Sequence, residues 1–328
     1  MQHLLLLLCS TSITAVTLLL LIYNHIDTRK RKKLKHKNVL ITGAAGGLAT
    51  HLAIRVANHA PKTIVLWDIR PHALKLAKNK IMQQTNINPK QILTQIVDVS
   101  NYKDTKAAAQ QVLRKVGSIH ILVNNAAIVL GHSILDSPPD KIHKSFDTNV
   151  LAHFWTAKSF IPTMLEANGG CLVTISSLMA SLPAARLADY CAAKAAIAQF
   201  HACLRLEVGA MNASHNVSFL LVQPYMLDTP LFAGGQIFRS EWLRRCFPAL
   251  NADVVAQQIL DAICEGKESL TIPRIFAIIP PLFQILPHLL RDVALGVAGA
   301  STAMDEFRGR ARRKEREKED VDMEEEDW

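Results

Sequence analysis

The stretch "ITGAAGGLAT" at residues 41–50 is the most informative segment for the fold of this chain. It ends a run of β-branched residues and leads directly into a helical pattern. Gly43 and Gly47 allow a tight turn, and the helix that follows presents unpaired N–H groups and its positive dipole end to phosphates. A glycine turn alone can serve only to pack a helix on a sheet. Its position at the first strand–helix junction favours a nucleotide site.

Outward from this turn, short β-branched runs alternate with longer amphipathic stretches. The predicted strands are 38–42, 63–67, 92–97, 120–124, 171–176 and 217–222. Helical patterns cover 47–59, 72–84, 102–116, 139–167 and 189–209. Near-continuous apolar strands separated by helices indicate a parallel sheet covered on both faces. The sequence therefore predicts a single doubly wound α/β domain of the Rossmann type over 38–273.

Polar residues at the predicted strand ends suit a dinucleotide. Asp68 follows the second strand, 25 residues after the first glycine of the turn. A carboxylate there accepts hydrogen bonds from the adenosine ribose hydroxyls and repels a 2′-phosphate, which favours NAD. The neighbouring Arg70 could soften this preference, so NADP stays open. Asp98 could cap the adenine amino group, and Asn125 in "VNNAA" ends the fourth strand, where small side chains let a nucleotide pass close.

The hexapeptide "DYCAAK" places Tyr190 four residues before Lys194, so both lie on one helix face. Such a pair is common by chance and predicts little alone. A tyrosine has a reference pKa of about 10, too high for a base at neutral pH. A nearby ammonium group and an oxidised nicotinamide would both favour the phenolate and lower that pKa.

Taken in order, "TGAAGGLA", "NNAA" and the Tyr-Lys pair resemble the short-chain dehydrogenase/reductase family over about 38–273. Ala49 and Ala127 stand where the family patterns TGxxxGxG and NNAG have glycine. Each change adds one methyl group and leaves the backbone path unchanged. The resemblance implies a Rossmann fold and a nicotinamide cofactor.

The resemblance also implies roles for individual side chains. Tyr190 would be the general acid/base, and Lys194 its partner and the holder of the nicotinamide ribose. Ser177, thirteen residues before the tyrosine, would hydrogen-bond the substrate oxygen, while Ser176 would point away. Asn149 would organise a water relay to the lysine. The implied cofactor-binding residues are Gly43, Gly47, Leu48, Asp68, Asp98, Asn125, Tyr190, Lys194 and Thr229.

Within the family, "VLWDI", "AHFWTAKSFIPTMLEANGG" and "PYMLDT" are most similar to membrane-bound retinol dehydrogenases and 17β-hydroxysteroid dehydrogenases. This implies an NAD(P)-dependent enzyme that acts on a lipophilic alcohol, ketone or aldehyde. One alternative is a 3-ketosphinganine-type reductase, for which basic groups would be expected after the second strand in place of Asp68. Another is a catalytically silent nucleotide-binding scaffold on a membrane. The presence of all four residues of the Asn-Ser-Tyr-Lys set argues against this alternative. A homodimer is left open.

The N-terminal segment predicts a membrane anchor over residues 1–28. Residues 4–22 carry no charge and are long enough to span a hydrocarbon core. The segment 29–37 that follows holds seven basic residues, which account for most of the net charge of +9 and argue against a nucleic-acid partner. By the positive-inside rule, the catalytic domain should be cytosolic, on a single-pass protein of the endoplasmic reticulum or lipid droplets. A cleaved signal peptide is the alternative.

Beyond Pro273 the pattern changes. Residues 274–307 are apolar and interrupted by prolines, which favours a membrane-proximal extension at the substrate entrance over an ordinary packed one. The tail 308–328 is basic and then acidic, and is predicted to be disordered. The six scattered cysteines suit a reducing compartment, and no metal site is predicted. The histidines at 132, 143, 153 and 201 are interpreted as structural.

Overall fold

The computed structural model describes residues 34–211, 216–235 and 241–308. Seven strands form one sheet: β1 Asn38–Thr42, β2 Thr63–Asp68, β3 Ile92–Ile96, β4 Ile121–Asn124, β5 Gly170–Ile175, β6 Val217–Pro224 and β7 Ser269–Ile272. The helices are α1 Gly47–Ala57, α2 Pro71–Gln84, α3 Tyr102–Val116, α4 Pro139–Phe146, α5 Ala152–Glu166, α6 Ala188–Met211, α7 Glu241–Cys246, α8 Ala252–Glu265, α9 Ile279–Ile285 and α10 His288–Ala298.

All paired strands are parallel, in the order β3-β2-β1-β4-β5-β6-β7. The predicted doubly wound parallel sheet is confirmed. The strand order reverses between β1 and β4, and a crevice outside the carboxyl ends of the strands is the usual ligand position at such a point. Every residue of β1 and β2 is buried, because helices cover both faces of the sheet.

Two hydrophobic cores lie on opposite faces of the sheet. One is formed with α1, α2 and α8, and the other with α3, α5 and α6. In the second core Trp67 and Phe160 are fully buried, with ring centroids 5.6 Å apart. These cores fix the strand ends from which the functional side chains project.

The structure departs from the predicted elements most clearly at β7 and in the segment 139–167. Strand β7 was not predicted, and it adds an edge to the sheet beside β6. The predicted single helix over 139–167 is wrong, since a π-helical turn at Asp147–Leu151 separates α4 from α5. Such turns are rare and occur often at functional sites.

The predicted anchor at 1–28 and most of the predicted charged tail lie outside the described residues. Between Leu34 and Arg308, within the described ranges, no helix has the length and apolar character needed to cross a membrane.

Candidate active site

A cleft of about 320 Å³ opens at the carboxyl ends of the strands. Of the residues predicted from the sequence, the following line it: Gly43, Gly47, Leu48, Asp68, Asp98, Asn125, Ser177, Tyr190, Lys194 and Thr229. Asn149 does not. The topology thus brings both halves of the predicted site into one space.

The glycine turn forms the floor of the cleft. Gly43 has φ +62°, and a β-carbon there would lie only 2.8 Å from the Ala126 Cα, so glycine is required on both counts. The Asn125 amide holds the same turn by donating to the Thr42 carbonyl oxygen at 3.0 Å. The Asn125 side chain therefore joins β4 to the turn instead of projecting into the cleft.

The start of α1 completes this end of the cleft. Gly46 precedes the helix and supplies no capping side chain, which leaves the first N–H groups open to a ligand. A β-carbon on Gly47 would lie 3.0 Å from the Thr229 Cγ2, so Thr229 packs directly against the helix start. A narrow, N–H-rich cradle of this kind fits a pyrophosphate.

At the far end of the cleft, Asp68 is buried and fully engaged. Its carboxylate accepts hydrogen bonds from the backbone N–H of Ala45 at 2.9 Å and of Arg70 at 3.0 Å. The Arg70 guanidinium also donates to it, with Nε 3.1 Å from Oδ1. The structure thus covers the Asp68 carboxylate with the cation of Arg70, the residue expected to soften the preference for NAD, and Arg70 itself lines the cleft.

Asp98 is also paired with a cation. The Lys144 Nζ donates to its Oδ2 at 3.0 Å, and the Ser100 hydroxyl donates to its Oδ1 at 2.5 Å. Burial favours the neutral acid, but these hydrogen bonds and the lysine charge outweigh it and lower the pKa of Asp98. Lys144 lines the cleft and was missed by the sequence analysis, because nothing in the spacing of α4 sets it apart from other lysines.

Tyr190 and Ser177 form the centre of the cleft. Both are buried and line the cleft. Burial raises the pKa of Tyr190, and the nearby Ser177 hydroxyl only partly offsets this effect. Ser176 is oriented differently, since its hydroxyl donates to the Lys194 carbonyl oxygen at 3.0 Å.

Lys194 lies beneath the tyrosine with its side chain buried. Its Nζ is 5.5 Å from the centroid of the Tyr190 ring and donates to the Ile175 carbonyl oxygen at 2.9 Å. Burial lowers the pKa of Lys194 to about 7. The cleft thus holds an amine that changes charge near neutral pH next to a phenol.

Asn149 lies behind the cleft, in the π-helical turn. It exchanges two hydrogen bonds with the Ile128 backbone, each 2.9 Å long. Its amide also donates to the Ser145 hydroxyl at 3.2 Å, which in turn donates to the Asp189 carboxylate at 2.5 Å. This buried chain holds the Ile128 loop, which lines the cleft, against the start of α6.

Aromatic side chains close the side of the cleft next to Tyr190. Phe232 contacts the Tyr190 ring edge-on at a centroid distance of 5.6 Å. Tyr225 is buried, and its ring centroid lies 5.2 Å from that of Phe276. Burial raises the pKa of Tyr225. The polar centre thus faces an apolar wall.

A doubly wound sheet with an N–H-rich glycine cradle at its switch point is the arrangement of a Rossmann-type dinucleotide-binding protein. The family model described as "short chain dehydrogenase" matches residues 37–236. The chain belongs to the short-chain dehydrogenase family. The predicted family and the predicted enzyme class, an oxidoreductase, are both confirmed.

Several curated relatives match most of the chain. It is 36% identical to short-chain dehydrogenase/reductase family 16C member 6 of Bos taurus over 265 residues, and this alignment covers 81% of each protein. It is 33% identical over 279 residues to human retinol dehydrogenase 10, which covers 79% of this chain and 81% of that protein. Human short-chain dehydrogenase/reductase 3 is 34% identical over 281 residues, with 86% and 89% covered.

Solved structures share the fold. A short-chain dehydrogenase/reductase from Burkholderia phymatum in complex with NAD aligns with a TM-score of 0.67 at 22% identity, covering 80% of this chain and 96% of that one. An alcohol dehydrogenase from the archaeon Thermococcus sibiricus, complexed with 5-hydroxy-NADP, aligns with a TM-score of 0.61 at 19% identity, covering 73% and 97%.

Proposed function

We propose that this protein is a membrane-bound oxidoreductase that transfers a hydride between a nicotinamide cofactor and a lipophilic alcohol, ketone or aldehyde of the retinoid, steroid or fatty type. The observation that carries the proposal is that Tyr190, Ser177 and Lys194 line one cleft, which begins at the glycine turn, with the Lys194 Nζ 5.5 Å from the centroid of the Tyr190 ring. The retinol dehydrogenases among the relatives support the lipophilic substrate class.

In this proposal, Tyr190 exchanges the proton of the substrate hydroxyl, and Ser177 holds the same oxygen by a hydrogen bond. Lys194 in its charged form favours the phenolate and so opposes the effect of burial on the Tyr190 pKa. Asn149 positions the Ile128 loop and, through Ser145, the start of α6; its part in a water relay stays a prediction. A bound nicotinamide supplies or accepts the hydride.

The cofactor is proposed to be NAD, with NADP as the alternative. Gly43, Gly47 and Thr229 would hold the pyrophosphate and nicotinamide end, and Asp68 the adenosine ribose. Asp68 disfavours a 2′-phosphate, but the Arg70 guanidinium on its carboxylate reduces that repulsion. Discrimination is therefore expected to be modest.

The assignment of Tyr190 is tested by Tyr190→Phe, with Tyr102→Phe as the matched control. Tyr102 is a partly exposed tyrosine whose ring packs on Trp155 outside the cleft. Loss of a general acid/base should lower turnover by about 10²–10⁴-fold. NADH binding, followed by cofactor fluorescence, should persist. A Tyr190→Phe enzyme that keeps more than half of the normal rate would show that the proton is exchanged elsewhere.

Membrane attachment is proposed for both ends of the chain. At the N-terminus it rests on the uncharged segment 4–22 and the basic segment after it. In the C-terminal extension, α9 and α10 expose large apolar side chains: Leu282, Ile285, Leu289, Val293 and Val297. The last three recur every fourth residue and so share one face of α10. A continuous exposed apolar surface of this kind suits contact with lipid.

The proposed topology is a single span with the catalytic domain in the cytosol, at the endoplasmic reticulum or on lipid droplets. Protease should digest the domain in sealed microsomes without detergent, and the sequons at Asn212 and Asn216 should stay unmodified. A protected and glycosylated domain would reverse the orientation. If a chain lacking residues 1–28 stays fully membrane-bound, α9 and α10 become the main attachment.

A further inference from the structure

The end of the described chain crosses the mouth of the active site. We name residues 299–308 the C-terminal strap. At one end, the Ala300 carbonyl oxygen accepts a hydrogen bond from the Ala185 N–H at 2.9 Å, just before α6. At the other, the Arg308 N–H donates to the Ala233 carbonyl oxygen at 2.9 Å. The strap therefore joins the loops on two sides of the catalytic centre.

The inner side of the strap is apolar and buried. Ala303 and Met304 are 2% and 4% exposed. Together with Ser177, Tyr225 and Phe232 they line a pocket of only about 20 Å³. Because Ser177 lines both this pocket and the cleft that holds Tyr190, the pocket begins at the proposed position of the reacting oxygen.

The size of the pocket conflicts with a bulky substrate. A space of about 20 Å³ holds little more than one water molecule, whereas pockets for drug-sized ligands measure about 300–1,000 Å³. Of the two strap residues that face inward, only Met304 has a long side chain. Methionine is unbranched and fills irregular gaps, so its side chain can turn aside at low cost.

We infer that Met304 is a specificity-determining residue, whose side chain on the C-terminal strap limits the size of the group carried by the reacting carbon. The inference rests on the proposed function, since it takes the carbon to react between Tyr190 and Ser177. Shortening Met304 should open the pocket to bulkier substrates, and a larger side chain there should restrict the enzyme to small ones.

The test uses the full-length protein and a series of primary alcohols from butanol to octadecanol, together with all-trans-retinol. The kcat/KM with NAD is measured for each, and NADH binding is followed in parallel. Met304→Ala should raise the ratio of kcat/KM for long over short alcohols by about tenfold, the range for one or two methylene groups in an apolar pocket. Met304→Phe should lower the same ratio. Met211→Ala, on the exposed end of α6, is the control and should leave it unchanged.

A second pair of variants tests the strap through its docking. A β-carbon on Gly131 would overlap the ring of Phe307 on the strap, whereas one on Gly117 would meet nothing within 4 Å. Both glycines have positive φ, 70° and 80°, so an alanine at either position carries backbone strain. Gly131→Ala should shift the alcohol profile towards long chains, as Met304→Ala does, and Gly117→Ala should not.

Three outcomes are distinguishable. A wild-type enzyme that oxidises none of the alcohols and reduces none of the matching aldehydes overturns the proposed function, and the inference with it. An active wild-type enzyme whose profile is unchanged in Met304→Ala, Met304→Phe and Gly131→Ala overturns the inference alone. Opposite shifts in the two Met304 variants, with NADH binding retained, support it.

Discussion

Acidification should destabilise this protein through two buried histidines, one of which lies near Lys194. His153 on α5 and His201 on α6 are 2% and 4% exposed. Burial lowers the pKa of His153 to about 3, helped by the Lys194 charge, and that of His201 to about 4. The His201 Nδ1 lies 2.9 Å from the Thr174 hydroxyl, while the His153 Nδ1 and the His201 Nε2 have no hydrogen-bond partner.

The sign follows from proton uptake. In the unfolded chain each imidazole has a pKa of about 6.5. Below that pH the unfolded state therefore binds protons, whereas the imidazoles of the folded state stay neutral. Stability therefore falls as the pH drops from about 6.5 towards the folded pKa values. Between pH 7 and pH 5 each histidine should cost about 2 kcal/mol. Lys194, with a pKa of about 7, adds a few tenths of a kcal/mol in this window.

The sum, about 4 kcal/mol, is a large part of the 5–15 kcal/mol typical of a folded domain. Urea unfolding of the full-length protein in detergent micelles, followed by tryptophan fluorescence at pH 7 and pH 5, measures it directly. His153→Gln and His201→Gln should each remove about half of the pH-dependent loss, whatever they do to stability at pH 7. The exposed His132, changed to Gln, is the control.

Two results would refute the reasoning. One is a wild-type free energy of unfolding that falls by less than about 1 kcal/mol between pH 7 and pH 5 with an unchanged m-value. The other is a His153→Gln variant that keeps the whole pH dependence. Either would mean that the buried imidazoles accept protons in the folded state.

Further predictions concern the site itself. Gly43→Ala should abolish NADH binding, measured by calorimetry, because the new methyl group meets the Ala126 backbone. A near-normal affinity would show that the glycine turn does not bind the cofactor. Arg70→Ala should raise the NAD/NADP ratio of kcat/KM by about tenfold, equal to about 1.4 kcal/mol; an unchanged ratio would show that Arg70 does not offset Asp68. The rate of alcohol oxidation should rise with pH as Tyr190 becomes able to accept a proton, and Lys194→Gln should shift that rise to higher pH. A pH–rate profile that is unchanged in Lys194→Gln would show that the lysine charge does not affect the pKa of Tyr190.

Much of the fold is predictable because its signals are local. Six strands are recognisable as β-branched runs, and the glycine turn fixes where the first helix begins. Strand β7 escapes prediction because "SLTI" is only four residues long and lies between a helix and Pro273. The π-helical turn at Asp147–Leu151 escapes it too, because nothing in the 139–167 pattern marks the partner of Asn149, which lies 21 residues upstream at Ile128.

The residues of the candidate site also differ in how far apart they lie along the chain. Tyr190 and Lys194 are fixed by one helical turn, and Ser177 by its strand end, so their spacing along the chain predicts their meeting. Lys144 reaches Asp98 across 46 residues, and the packing of α4 against α6 brings them together.

The substrate side carries still less signal. Only a few residue types can donate a proton, so such residues are recognisable in a sequence. Any apolar residue can line a substrate pocket, and the sequence does not distinguish Met304 from the apolar residues of the core. Met304 lies 127 residues beyond Ser177, and the strap is held by the loops that flank α6 and β6. A sequence can therefore identify the reaction while leaving the shape of the substrate to the structure.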